Sequence, residues 1–235
     1  MTPYYEQDGI VIYHGDCREI LPTLPKVDLV LTDPPYDAKT HRGAITVAAS
    51  VQSSKDSGVS FSCLDDVQGV TLALLALSQR WVIAFCALEQ LGAYAAAAGG
   101  AWVRAGVWDK IAPSPQITGD RPGQAVEGIA IMHNPGRKKW NRGGGAGIWR
   151  FLPDKGATRP DHPTPKPEGL MASLVSDFSD SGDTILDPFM GSGTTLVAAK
   201  RLGRKCIGIE IEEKYCEIAA RRLQQGALDL FGASA

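Results

Sequence analysis

Two short segments of this chain join acidic side chains to constrained backbone in patterns that suit chemistry. The first is Asp33-Pro34-Pro35-Tyr36. Two prolines fix their own φ angles, so the groups around them are held with little further ordering cost. An exocyclic amine on a heterocyclic base is a poor nucleophile, because its lone pair is delocalised into the ring. Asp33 and the carbonyl of Pro34 can each accept one amine hydrogen, which favours a pyramidal nitrogen with its lone pair free. Such a nitrogen can attack the methyl of a sulfonium in line, with no covalent enzyme intermediate. Tyr36 offers a flat face on which an extruded base can stack, worth about 1–3 kcal/mol. Extrusion is needed because the target nitrogen is otherwise paired inside a duplex. Asp-Pro alone is a common turn after a strand; the full tetrapeptide is far more specific.

The second segment is Asp187-Pro188-Phe189-Met190-Gly191-Ser192-Gly193-Thr194-Thr195. Its glycines permit a tight turn and close approach of a ligand to the backbone. Asp187 stands at the end of an apolar run, where open α/β sheets bind ligands. Glu210 ends the next such run, placed to accept hydrogen bonds from both ribose hydroxyls of a nucleoside. A phosphate-binding loop would need Gly-Lys-Ser/Thr, and Lys is absent. A dinucleotide fingerprint would need a third glycine where Leu196 stands. An acid at the start of the loop disfavours pyrophosphate and suits a cationic, phosphate-free nucleoside, and S-adenosylmethionine is such a ligand.

The elements that must carry these segments alternate. Ile10–Tyr13, Val27–Thr32, Trp81–Phe85, Asp183–Asp187 and Lys205–Glu210 read as buried strands. Val67–Ser78, Leu88–Ala98, Pro167–Phe178, Thr194–Leu202 and Glu212–Gln225 read as helices, the last ending at Gly226. Trp102–Trp108 and Glu127–His133 read as paired strands. This alternation predicts an α/β fold, a doubly wound, mostly parallel sheet covered on both faces. Residues 37–62, rich in Ser, Gly and Ala, read as a mobile loop able to close over an extruded base. Residues 134–160 read as an irregular insertion.

The chain has 235 residues, 44% hydrophobic and 21% charged, which fits one domain with a modest insertion. No apolar stretch reaches the length of a membrane span, and the N-terminus has no signal-peptide pattern, so a cytoplasmic protein without membrane contact is expected. Five cysteines without C-x-x-C spacing argue against a disulfide framework or a structural zinc, and no metal site is expected. None follows a proline, so the Pro-Cys nucleophile of carbon-5 cytosine methylation is missing.

Net charge is −2, yet residues 121–170 hold nine Lys and Arg against four Asp and Glu. A basic segment on an acidic body fits a localised footprint for a polyanion. Within it, Arg137-Lys138-Lys139-Trp140-Asn141-Arg142 combines cations with an aromatic ring and two side chains able to read base edges. Double-stranded DNA is the expected partner. The competing reading is a solvated loop.

These residues resemble the exocyclic-amino DNA methyltransferases, and their order resembles the beta class. There the catalytic Asp-Pro-Pro-Tyr comes first, the target-recognition region next and the cofactor loop last. The resemblance implies a circularly permuted motif order on a seven-stranded, Rossmann-like sheet binding S-adenosylmethionine, with 134–160 as target-recognition insertion. His162-Pro-Thr-Pro-Lys-Pro167 resembles the family's cofactor-side motif, which implies that His162, Thr164 and Lys166 border the cofactor. Gly15-Asp16-Cys17 resembles its adenine-contacting segment, implying contacts from Asp16 and Cys17. Asp at position 33 usually accompanies N6 of adenine as target, and N4 of cytosine is the alternative. The class often forms homodimers, so a dimer is an expectation. Two rival readings are an enzyme acting on RNA or protein, against which the motif order argues, and a non-catalytic DNA-binding module, against which intact Asp33, Tyr36, Asp187 and Glu210 argue.

Overall fold

The computed structural model describes residues 2–35, 66–113, 115, 119–154 and 166–229. In chain order the elements are β1 (Tyr5–Gln7), β2 (Ile10–His14), α1 (Cys17–Ile20), β3 (Val27–Thr32), α2 (Val67–Leu77) and β4 (Ser78–Cys86). Then follow α3 (Leu91–Ala98), β5 (Trp102–Asp109), β6 (Val126–Met132) and β7 (Ile148–Arg150). The last are α4 (Glu168–Phe178), β8 (Thr184–Asp187), α5 (Thr194–Arg201), β9 (Lys205–Glu210) and α6 (Glu213–Asp229).

The nine strands of the described residues form one sheet in the order β1-β2-β9-β8-β3-β4-β6-β5-β7. Strands β2, β9, β8, β3 and β4 run parallel, while β6 lies antiparallel between β4 and β5. The central seven match the expected doubly wound sheet. Two short edge strands, β1 and β7, extend it to nine, and neither has a run long enough to show periodicity.

Alternation explains the layers. Leu29 and Leu31 face a core with Ile83, Phe85 and the apolar stripes of α4, α5 and α6. Val30, Val82 and Ala84 face the other side, against α1, α2 and α3 through Ile20, Leu74 and Tyr94. A strand buried on both faces must be apolar at nearly every position, so β3 reads as a continuous apolar run. Helix α6 continues past Gly226 to Asp229, one glycine costing about 1 kcal/mol against an otherwise helical sequence.

Direction then sets the site. The parallel strands end at His14, Glu210, Asp187, Thr32 and Cys86, all on one edge. Because β6 is antiparallel, its first residues join that edge, with Gly128 opposite Cys86. Residues 133–142 leave from the opposite, amino-terminal edge, where His133 N–H donates to Ala101 and the Asn134 amide donates to Leu75 and Ser78 carbonyls.

Candidate active site

Strands β3 and β8 are parallel neighbours, so Asp33, following β3, and Asp187, ending β8, stand side by side. The Thr32 hydroxyl donates to Asp187 Oδ1 at 2.8 Å, and the Thr195 hydroxyl from α5 donates to Oδ2 at 2.5 Å. The Phe189 N–H adds a third bond, at 3.2 Å. Asp187 is 3% exposed. Burial pushes its carboxyl up to about 6, against the pull of those three donors, and Asp33 nearby adds to the rise.

Glu210 closes the neighbouring strand end. Its Oε2 accepts from Gly191 N–H at 3.0 Å and its Oε1 from Glu212 N–H at 2.9 Å. Burial raises its carboxyl above the ordinary glutamate range, and these backbone donors oppose the rise. Each oxygen keeps a second lone pair, so the carboxylate can anchor the loop and still accept a hydroxyl.

The glycine loop turns as expected, with Gly191 at φ 50° and Gly193 at φ 78°, both left-handed. At Gly193, however, an added Cβ would lie 2.7 Å from Ala219 Cβ on α6. This glycine makes room for a helix. Ser192 and Thr194, expected to touch cofactor, turn their hydroxyls to Arg222 Nη1 at 3.2 and 3.3 Å. Pro188 is buried and Phe189 half-buried at the loop's start. Asp16 caps α1 through Arg18 N–H at 2.9 Å and pairs with the Arg18 guanidinium, and burial pushes the Cys17 thiol up to about 11. Both lie beside Glu210, since Gly15 N–H donates to its carbonyl.

Around Asp33 the surroundings differ from those of Asp187. Pro34 is buried and Pro35 half-buried. Asp33 Oδ2 meets Lys166 Nζ at 2.6 Å, whereas Oδ1 is buried with no hydrogen-bond partner among the described residues. Lys166, expected at the cofactor, contacts the Asp33 carboxylate and also Glu127, 3.1 Å away. Tyr36, His162 and Thr164 lie outside the described residues, as does the segment 37–62.

Much of the basic hexapeptide, expected to meet DNA, is engaged within the protein. Trp140 stacks on Phe178 with 6.1 Å between ring centroids, Asn141 ties itself to Ser176, Ser179 and Asp180, and Arg142 lies over Trp149 and near Asp177. The Lys139 ammonium pairs with Asp180, and its carbonyl accepts from Trp81 Nε1. Arg137 is exposed and Lys138 half-buried. This segment therefore packs against the amino-terminal half of the sheet, away from Asp33. Nor is the insertion wholly irregular. Ile148–Arg150 adds β7 to the sheet, and fully buried Trp149 donates to Asp177 Oδ2 at 2.8 Å.

Thr32, Thr195, Glu127 and Lys110 escaped the sequence reading. Thr32 had a signal, being a polar residue closing a buried apolar run. The others needed the tertiary structure. Among the described residues no group of three or more His, Cys, Asp or Glu could hold a metal ion, and no helix is long and apolar enough to cross a membrane.

Comparison with known proteins agrees with this geometry. A family model described as DNA methylase matches residues 105–221. The Type II methyltransferase M2.LlaDCHI of Lactococcus lactis subsp. cremoris is 29% identical over 254 residues, covering 96% of this chain and 93% of that protein. The crystal structure of an M1.HpyAVI–SAM complex superposes with a TM-score of 0.70 at 25% identity, covering 91% of this chain and 98% of that one. The cytosine-N4-specific PvuII DNA methyltransferase shares the fold, with a TM-score of 0.71 at 16% identity, covering 98% and 94% of the two chains. With the family model running from β5 into the last helix and the relative spanning nearly all of both chains, this protein is a DNA methyltransferase similar to the exocyclic-amino (N6/N4) DNA methylases.

Proposed function

We propose that this chain transfers a methyl group from S-adenosylmethionine to the exocyclic N6 of adenine in double-stranded DNA, acting on a base extruded from the helix. The observation that carries this reading is the pair of acids on adjacent strand ends: Asp187, triply hydrogen-bonded and buried, and Asp33, with one oxygen held and the other open.

The cofactor-side residues fit their ligand. Asp187 sits in a desolvated setting that raises its carboxyl, so a cation nearby would be favoured over an anion. Glu210 is placed to accept ribose hydroxyls, and Asp16 and Cys17 flank the same strand end. When bound, S-adenosylmethionine supplies an electrophilic methyl on a sulfonium. Asp33 Oδ1, lacking a donor, is the acceptor for one amine hydrogen, and the Pro34 carbonyl serves the second. Lys166, held at Oδ2, fixes the orientation of the Asp33 carboxylate. A buried acceptor without a partner costs about 1–3 kcal/mol, which an incoming amine would recover.

Asp33 supports adenine over cytosine, on the family resemblance. Expression in a methylation-free host followed by single-molecule sequencing and nucleoside chromatography tests this. N6-methyladenine at a defined site is the expected product, and Asp33→Ala abolishes it. N4-methylcytosine instead would overturn the choice of base, and modification of RNA or protein but not DNA would overturn the substrate class. A cytoplasmic location follows from that substrate.

A further inference from the structure

Four side chains of alternating charge form a row that begins at the Asp33 carboxylate. Asp33 Oδ2 contacts Lys166 Nζ at 2.6 Å, Lys166 Nζ contacts Glu127 Oε2 at 3.1 Å, and Glu127 Oε1 contacts Lys110 Nζ at 2.8 Å. All are largely withdrawn from solvent, with side-chain exposures of 32, 11, 13 and 18% in that order. Two rings frame the row: Lys166 Nζ lies 5.0 Å from the Phe85 centroid, and Lys110 Nζ lies 5.2 Å from that of Trp108. Of the four charged residues only Glu127 lies within a strand, β6; Asp33 follows β3, Lys110 follows β5 and Lys166 precedes α4, while the framing rings stand on β4 and β5.

We propose that Glu127, backed by Lys110, is a positioning residue for methyl transfer, acting through Lys166 to keep one Asp33 oxygen open for the target amine. The proposal rests on the function proposed above and extends it to a group that never touches substrate. An ammonium has three donors, and beside a lone carboxylate it can bridge both oxygens. Glu127 takes one of those donors and draws Lys166 toward β6, so the ammonium meets Asp33 at Oδ2 only. Oδ1 then stays buried and open. Without the Glu127 charge, Lys166 turns fully to Asp33, engages Oδ1 and competes with the incoming amine.

A role confined to bracing the sheet edge would lower stability and leave the chemical step alone. Single-turnover methylation of duplex DNA by the full chain separates the two. Glu127→Gln should slow the step on the order of 100-fold while S-adenosylmethionine affinity changes less than about twofold. Glu127 acts through Lys166, so adding Glu127→Gln to Lys166→Met should slow the reaction no further than Lys166→Met alone. A wild-type rate for Glu127→Gln, or independent multiplication of the two losses, would overturn the proposal. Should Glu127→Gln fail to fold, Glu127→Asp and Lys110→Met carry the same test: slower single turnover with cofactor affinity retained supports the proposal, and wild-type rates in both overturn it. The wild-type protein is assayed first. If it transfers no methyl to DNA, the functional reading has failed, which is a different result from an active wild type with an indifferent Glu127.

Discussion

Asp187 has to serve two states of the molecule. Without ligand, its buried charge is unfavourable: a rise from 3.8 to about 6 corresponds to roughly 3 kcal/mol of preference for the protonated form. A carboxyl raised on folding contributes stability that is fully present below the unfolded value of about 4 and is lost as pH rises through about 6. Asp187→Asn removes that dependence. The difference in thermal midpoint between variant and wild-type apoprotein should therefore change between pH 4 and 6 and stay level above about 7. Cofactor binding runs the other way, because a sulfonium favours the ionised form. Titration calorimetry should find S-adenosylmethionine bound about tenfold more weakly at pH 5 than at pH 8, in step with the value near 6. Affinity independent of pH over that range would separate Asp187 from the cofactor. Thr32→Val keeps the shape of the side chain and deletes the 2.8 Å bond that joins β3 to this carboxylate. It should lower stability by about 1–3 kcal/mol in urea titrations and move the loss of cofactor binding to higher pH.

At the scale of elements, the cofactor loop depends on helices that close behind it. Gly193 begins α5 with a left-handed φ of 78°, and a Cβ there would strike Ala219 of α6 at 2.7 Å. Gly193→Ala should cost about 2–5 kcal/mol, the sum of backbone strain and overpacking. Gly144→Ala, where nothing lies within 4 Å of the added carbon, should change stability by less than about 0.5 kcal/mol. Equal effects in denaturant titration would mean that the α5–α6 contact does not govern the loop. The parallel strands were legible as continuous apolar runs, and the helices as the longer segments alternating with them. The edge strands β1 and β7 were not, since three residues hold no period and their pairing is supplied by neighbours distant in the chain.

Across the whole molecule, strand polarity separates the reactive edge from the basic hexapeptide. The six residues of β3 alone span roughly 20 Å. Under the proposed function, a duplex presenting a base at Asp33 would meet the edge where the Arg150 side chain stands 69% exposed beside Asp109, and not the face against which half-buried Trp140 packs. Replacing Arg137, Lys138 and Lys139 with alanine should accordingly leave the salt dependence of DNA binding nearly unchanged. Arg150→Ala should reduce the slope of log affinity against log salt by about 0.9, one phosphate contact. A reduction near 3 in the triple variant would return the hexapeptide to the footprint.

From its own residues the chain determined the alternating α/β order, the two acidic strand ends and the glycine turn, because each depends on neighbours within a few positions. What Trp140 stacks on, which carboxylate Lys166 holds and that Glu127 stands beside that lysine were decided only by the tertiary structure. A tryptophan beside cations reads the same whether it awaits a base or covers Phe178. An ion pair has no signature in one dimension, because it forms between side chains brought within a few ångströms by a sheet whose order differs from that of the chain.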